Sequence, residues 1–457
     1  MMPINIGFVS TRFAGTDGVT LEASKWAEVL KRSGHQHFWF AGLLDRSPER
    51  SFLVPEAYFQ HEKNRWIDTQ IFGKKRRDPA VSDAIADLKA RLKKQLNEFI
   101  RAFDIHLLVA ENILTIPLHI PFGIALTEII AETQIPTIAH HHDFYWERTR
   151  FAVNAVGDYL RMAFPPKLPS IEHVVINSAA QEELALRTGI SSIIIPNVLD
   201  FENPPQINEK QTDAFWQSIG LQKDDVKILQ PTRIIQRKGI EHAVQLVEEL
   251  YNPRYKLIIS HEAGDEGFEY AEWLTHDARQ RGVDLRLVNI HMSDPMNPDV
   301  NHKETYSLWD VYPHADLITY PSLYEGFGNA FLEAVYFKKP LLINRYTTFV
   351  KDIEPKGFDL IAMDGYLTSK SVQKVRDILS SAERREKMVQ TNYEIASRHY
   401  SYSILRNQLS AIMKSFFGDE MAPLAARPKS TKSRGYLYMN SHQVRYKHFN
   451  SKRCTNA

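Results

Sequence analysis

Asp316-Leu317-Ile318-Thr319-Tyr320-Pro321, followed three residues on by Glu325-Gly326-Phe327-Gly328-Asn329-Ala330-Phe331-Leu332-Glu333-Ala334, reads as a buried strand, a glycine turn and a helix. A short apolar run that passes through a turn into helical periodicity is the unit of a parallel sheet covered by helices. Gly326 and Gly328 expose backbone amides where the helix begins, and a helix start carries free N–H groups and a positive dipole end. Glu325 stands before the helix and Glu333 two turns into it, so each can accept hydrogen bonds from hydroxyl groups while the amides between them face a phosphate. Two glutamates at this spacing often mark only an exposed helix face; their place directly after a strand makes the functional reading the stronger one.

The same alternation runs outward in both directions. Before it lie the strand candidates Ile4 to Ser10, His37 to Gly42, Ile105 to Ala110, Pro136 to His140, His173 to Ser178 and Ser192 to Pro196. Helical stretches such as Val19 to Ser33, closed by Gly34, and Asp83 to Phe103 separate them. Residues 43 to about 80, rich in Lys and Arg, break the rhythm and read as an insertion outside the sheet. Phe201 to Asn208, with Pro204 and Pro205, suits a linker. After it come Lys227 to Thr232, Lys256 to Ser260, Asp284 to Asn289, Asp316 to Pro321, Pro340 to Asn344 and Asp359 to Met363, with helices starting near 239, 267, 306, 328 and 369. Residues 383 to 417 read as helical throughout. Beyond Glu420 the chain holds eight Lys or Arg and no acid, which suits a disordered or peripheral tail. The fold class is α/β, with two consecutive doubly wound, Rossmann-like domains.

Composition agrees with this and narrows the partners. A chain of 457 residues exceeds the usual size of one core, so two domains are expected. With 56 basic and 55 acidic residues the net charge is +1, so no global field draws in nucleic acid or an acidic membrane, and any phosphate site must be local. The lone Cys454 fits a reducing compartment. The N-terminus reads as a strand, not a signal peptide, and no apolar run is long enough to span a bilayer. The expected location is the cytoplasm, with peripheral membrane contact left open.

Two other turns carry candidate chemistry. In Thr11-Arg12-Phe13-Ala14-Gly15-Thr16-Asp17-Gly18-Val19, Gly15 and Gly18 permit close approach of a ligand to the backbone ahead of a helix; a purely structural turn would read the same way. In Pro231-Thr232-Arg233-Ile234-Ile235-Gln236-Arg237-Lys238-Gly239, Arg233 and Lys238 bracket a turn into a helix and could neutralise a diphosphate. Taken alone they are also compatible with a solvated basic loop. His140-His141-His142 invites a metal reading, but neighbours on a strand point to opposite faces, so three cannot converge on one ion. No metal is expected.

The stretch EGFGNAFLEA resembles the donor-site motif of glycosyltransferase family 4, retaining enzymes of the GT-B fold, in which two doubly wound domains face each other across a cleft. The Arg233 to Gly239 turn is similar to the basic turn heading that family's second domain. Val175-Ile176-Asn177-Ser178, Ile195-Pro196-Asn197-Val198 and Gly15 to Gly18 resemble its first-domain strand, domain end and glycine loop. The similarity spans roughly residues 4 to 415. It implies an acceptor-side domain over 1–200, a nucleotide-sugar domain over 201–395, a helix crossing back over 396–417 and a basic tail over 418–457. It further implies that Arg233 and Lys238 neutralise the leaving diphosphate and that Glu325 binds the transferred sugar. Glu333 would hold the ribose, Gly326, Phe327, Gly328 and Asn329 would contact sugar and phosphate through their amides, and His142 would reach the donor from across the cleft. Gly15 and Gly18 fall on the donor side; Asp17, Asp143, Trp146 and Arg148 are acceptor-side candidates. The chain departs from the family at Ser260-His261-Glu262-Ala263-Gly264, where glycines are usual, and in the long polar stretch Asn289 to Tyr306.

The implied reaction moves a hexose from a nucleotide sugar of GDP-mannose or UDP-glucose type to a small hydroxylated acceptor, a sugar or a glycerate-like compound, with no cofactor. The rivals are a GT-B glycoside phosphorylase, a nucleotide-sugar epimerase, and a non-catalytic sugar-nucleotide binder. Replacing Lys238 or Glu325 by alanine is expected to abolish transfer and leave the fold intact.

Overall fold

The computed structural model describes residues 3–15, 17–204, 209–260, 268–288 and 308–418. The end of the expected linker, the stretch after Ser260, the polar segment from Asn289 and the basic tail with Cys454 lie outside them.

Two parallel sheets organise the chain. The first holds β1 (Asn5–Val9), β2 (Gln36–Ala41), β3 (Ser51–Leu53), β4 (Leu107–Glu111), β5 (Thr137–His141), β6 (Ile171–Val175) and β7 (Ile193–Ile194), in the order β3-β2-β1-β4-β5-β6-β7. The second holds β8 (Val226–Gln230), β9 (Tyr255–Ile259), β10 (Leu285–Leu287), β11 (Leu317–Tyr320), β12 (Leu341–Asn344) and β13 (Ile361–Met363), in the order β10-β9-β8-β11-β12-β13. Every strand pair is parallel.

Because side chains alternate across a strand, each sheet feeds two cores. Ile6, Phe8, Leu107, Val109 and Ile138 join one with Trp26 and Leu30, whereas Val9, Leu108, Ala110 and Ala139 join the other with Phe99 and Phe122. In the second sheet Leu229, Ile258, Ile318 and Ile343 face one side, and Ile228, Leu257, Ile259, Leu317 and Leu342 the other. This burial on both faces is why the strands read as unbroken apolar runs.

Three expectations are corrected. The 43–80 segment is not wholly outside the sheet: Ser51–Leu53 adds an edge strand in register with Trp39 to Ala41, and its three residues are too few to show a period. The helix expected from Asp83 begins at Pro79, capped by Asp78, whose side chain accepts from Ala80 N; proline just inside a helix start and aspartate just before it are both favoured. Residues 383 to 417 are two helices, Ala382–His399 and Tyr402–Phe417. They part at Ser401, extended at φ −93°, ψ 163° and bridged to Leu199. The second of them buries Tyr402, Leu405, Leu409 and Ile412 among the first sheet's residues. No helix among the described residues is long and apolar enough to cross a membrane.

Candidate active site

Strand order reverses between β1 and β4 in the first sheet and between β8 and β11 in the second. At such a point the loops leaving adjacent strands part, and a crevice opens at their C-terminal ends. The glycine loop, Glu111, the basic turn and the EGFG turn all leave strands bordering these two crevices.

On the second-domain wall, Gln236–Lys238 makes one 3-10 turn ended by Gly239 at φ +59°. A Cβ on Gly239 would stand 2.6 Å from the Pro321 carbonyl oxygen, so glycine alone lets the basic turn lie on the end of β11. That contact delivers Lys238 to Glu325: Nζ donates to Oε1 in a short ion pair, with side chains only 10% and 11% exposed. Arg237 adds Nη1 at 3.3 Å from Glu325 Oε2 and at 3.3 Å from the Tyr324 carbonyl oxygen. Arg233, the residue singled out in the sequence, is instead exposed at the head of the turn. Burial disfavours both charges of the pair. On Glu325 it is outweighed by Lys238 and Arg237, which hold the carboxyl below its usual range. On Lys238 burial prevails over Glu325, with Arg237 and Arg233 repelling, and the ammonium pKa falls. The surroundings therefore favour the Glu325 charge and disfavour that of Lys238.

The turn after Glu325 is tied down from behind. Thr348 Oγ1 donates to the Glu325 carbonyl at 3.0 Å and Tyr346 Oη to the Phe327 carbonyl at 2.9 Å. Gly328, at φ +110°, heads the Asn329–Tyr336 helix. Phe327 is 3% exposed and packs edge-on against Tyr400 at 5.3 Å. Its ring is therefore core, and only its backbone is left to a ligand. Glu333 accepts from Tyr312 Oη at 2.8 Å. Burial raises its carboxyl pKa against the opposing influence of Tyr312 and Lys25.

On the first-domain wall, Gly15 N donates to Asp45 at 2.8 Å. Asp17 caps the Gly18–Arg32 helix through the amides of Val19 and Thr20 and pairs with Arg12 at 2.9 Å, so its carboxylate is occupied within its own loop. The two walls meet through Asn177 Nδ2, 2.6 Å from the Gly326 carbonyl, and Asn197 Nδ2, 2.7 Å from Asn329 Oδ1. A Cβ on Gly18 would lie 3.7 Å from Asn329 Nδ2, and one on Gly326 would lie 3.5 Å from the His142 carbonyl. Lys238, Glu325, Gly326, Asn329, Gly18 and His142 are thereby gathered. Asp143 instead holds Asn112 at 2.9 Å and pairs with Arg148. Trp146 stacks on Phe144 at 4.5 Å and lines a separate cavity of about 650 Å³ with Arg161, Lys167 and Arg187.

The histidines separate as strand alternation requires. His141 turns away, with Nε2 2.9 Å from His173 Nδ1. His140 and His142 turn to the other face and meet Glu111 from β4, at 3.0 Å and 3.4 Å from its Oε2. Their ligand atoms lie within 4.8 Å of one another, a spacing that an ion could also use. The sequence reading missed Glu111, Arg237, Asn177 and Asn197 as site residues. For Arg237 and the asparagines a signal was available, since they lie inside stretches already quoted.

Comparisons bear on this geometry. The family model Glycosyl transferases group 1 matches residues 211–395. The chain is 34% identical over 391 residues to the mannosylglucosylglycerate synthase of Petrotoga mobilis, covering 79% of this chain and 86% of that protein. It is 30% identical over 442 residues to the mannosylglucosylglycerate synthase of Thermotoga maritima, covering 89% and 99%. Among solved structures, a glycosyltransferase from Rickettsia africae superposes with a TM-score of 0.66 at 13% identity, covering 91% of this chain and 99% of that one.

Proposed function

The chain belongs to the same glycosyltransferase family as the mannosylglucosylglycerate synthases, with a group 1 glycosyl transferase domain on a GT-B fold, and on that premise we propose that it transfers a hexose from a nucleotide sugar to a small acceptor bearing a glycerate carboxylate, with retention of configuration. The observation that carries the donor half is the buried Lys238–Glu325 pair beside the start of the Asn329–Tyr336 helix. A diphosphate placed there meets an ammonium and free helix amides, so negative charge that grows as the nucleotide leaves is stabilised where it forms. Glu325 and Glu333 accept from hydroxyls. The acceptor attacks on the face the nucleotide departs from, and the protein supplies no nucleophile. The basic turn, the EGFG turn and the Glu333 position support reading the chain as a member of glycosyltransferase family 4. The acceptor half rests on the relatives' names, which join mannose, glucose and glycerate in one product. GDP-mannose and UDP-glucose are the donors to test, and the lone Cys454 supports a cytoplasmic setting.

Leaving-group stabilisation by Lys238 and helix amides requires no metal. Transfer from GDP-mannose or UDP-glucose to glucosylglycerate, followed as nucleotide release, is expected to keep its full rate after exhaustive chelation. Loss of rate restored only by a divalent ion would overturn metal independence, and no release with any donor would favour a silent binding protein.

A further inference from the structure

Glu111 closes β4 and stands in register opposite His140 on β5. Its carboxylate is 0% exposed and lies between the two histidines that share a face. A buried carboxylate is retained only where donors surround it, and these rings supply them. The ring of His140 is fixed by stacking on Trp26, with centroids 4.2 Å apart and planes at 22°. Its Nε2 is buried without a partner. A proton there would be a buried, unpaired donor, so the ring donates from Nδ1 to Glu111. His142 is different. It turns Nε2 to the same Oε2, keeps 11% of its side chain exposed, and lies where its own carbonyl borders Gly326 of the donor turn.

We propose that Glu111 is a positioning residue for transfer: it takes the Nε2–H of His142, with His140 as its other donor, and so fixes the His142 ring with its Nδ1 edge toward the donor sugar. Without Glu111 the ring could present either nitrogen, as donor or acceptor. With it, the inward nitrogen is committed and the outward edge has one identity. The electrostatics support the same arrangement. Burial lowers the basicity of His142, but the hydrogen bond and charge of Glu111, with Glu22 and Asp143 beyond, outweigh it and raise its pKa above 6.5. Burial also opposes ionisation of Glu111, and His140 and His142 together reverse this. The charged groups facing His142 are therefore Glu111 from β4, Glu22 from the Gly18–Arg32 helix and Asp143 from its own loop, with His140 and His141 as titratable neighbours.

The inference rests on the proposed role of His142 at the donor, and the test separates the two. In the full-length protein, Glu111→Gln, His142→Gln and the double variant are compared for kcat and donor KM across pH, beside their melting temperatures. Glu111→Gln is expected to lower kcat about 10- to 100-fold with little change in KM. In the His142→Gln background the same change should cost little more, because Glu111 acts through that ring. An equal loss in both backgrounds overturns the proposal, leaving Glu111 a structural residue. Wild-type rate in His142→Gln overturns the role of His142 instead. Should Glu111→Gln fail to fold, nitrogen NMR of the wild-type histidines decides: a His142 ring with its proton on Nε2 supports the proposal. A ring whose proton sits on Nδ1 alone, or ring resonances that move on adding zinc together with a chelator-sensitive rate, contradicts it.

Discussion

Lys238→Ala is expected to lower kcat about a thousandfold, the scale for removing a charged group that acts chiefly in the transition state, with a smaller rise in donor KM. The sequence suggested that the fold would be untouched. The structure changes that expectation, because Lys238 is the closest counter-charge of a Glu325 carboxylate that is itself mostly buried. Removing one partner of a buried pair leaves an uncompensated charge, at a cost of about 3 kcal/mol where no other group relieves it; Arg237 at 3.3 Å relieves part. The sign with pH follows from Glu325. Its folded pKa lies below the ordinary 4.5, so the pair's stabilisation is present above pH 4.5 and is lost as pH falls through the depressed value. Lys238→Ala should therefore melt lower than wild type at neutral pH and nearly equal to it in strong acid. Lys238→Ala/Glu325→Ala should recover stability but no activity. Wild-type turnover in Lys238→Ala would remove the leaving-group assignment.

Gly328→Ala should be the most damaging change of a single methyl group in the chain's donor motif. At φ +110° an L side chain is strained, and the added Cβ would overlap the Tyr346 hydroxyl and come 3.2 Å from Tyr320 Cε1. Both tyrosines are buried and the Tyr346 hydroxyl is committed to the Phe327 carbonyl, so neither yields easily. Strain and overpacking together should cost about 3 kcal/mol. The turn can relieve them only by moving the amides proposed to hold the donor phosphate. Calorimetry with GDP or UDP is expected to show nucleotide binding lost and, in ligand-free protein, a lower melting temperature. Unchanged binding would mean that the phosphate does not rest on this turn.

The two-sheet architecture was legible because its strands are buried on both faces: Ile6 and Val9, or Leu317 and Ile318, had to be apolar whichever way they pointed. What escaped was decided by tertiary contact. Ser51–Leu53 is a strand only because β2 lies beside it, and Ser401 breaks a helical run only because the chain returns to Leu199. At the site, glycines and charges inside one turn were readable, since their meaning is local. That the Phe327 ring is core was not readable, because nothing local shows that Tyr400, far along the chain, covers it. Glu111 carried no local signal, as its partners His140 and His142 lie on the next strand and just beyond its end. The sequence singled out Arg233 beside Lys238, and nothing local showed that Arg237 also turns toward Glu325.

The most direct measurement of the central claim is proton NMR of the product formed from GDP-mannose or UDP-glucose and glucosylglycerate, with nucleoside diphosphate release followed in parallel. The account predicts one nucleoside diphosphate released per sugar transferred, and an anomeric centre in the new linkage with the configuration it had in the donor. An inverted anomeric centre, or no transfer from any nucleotide sugar to any glycerate-bearing acceptor, would contradict it.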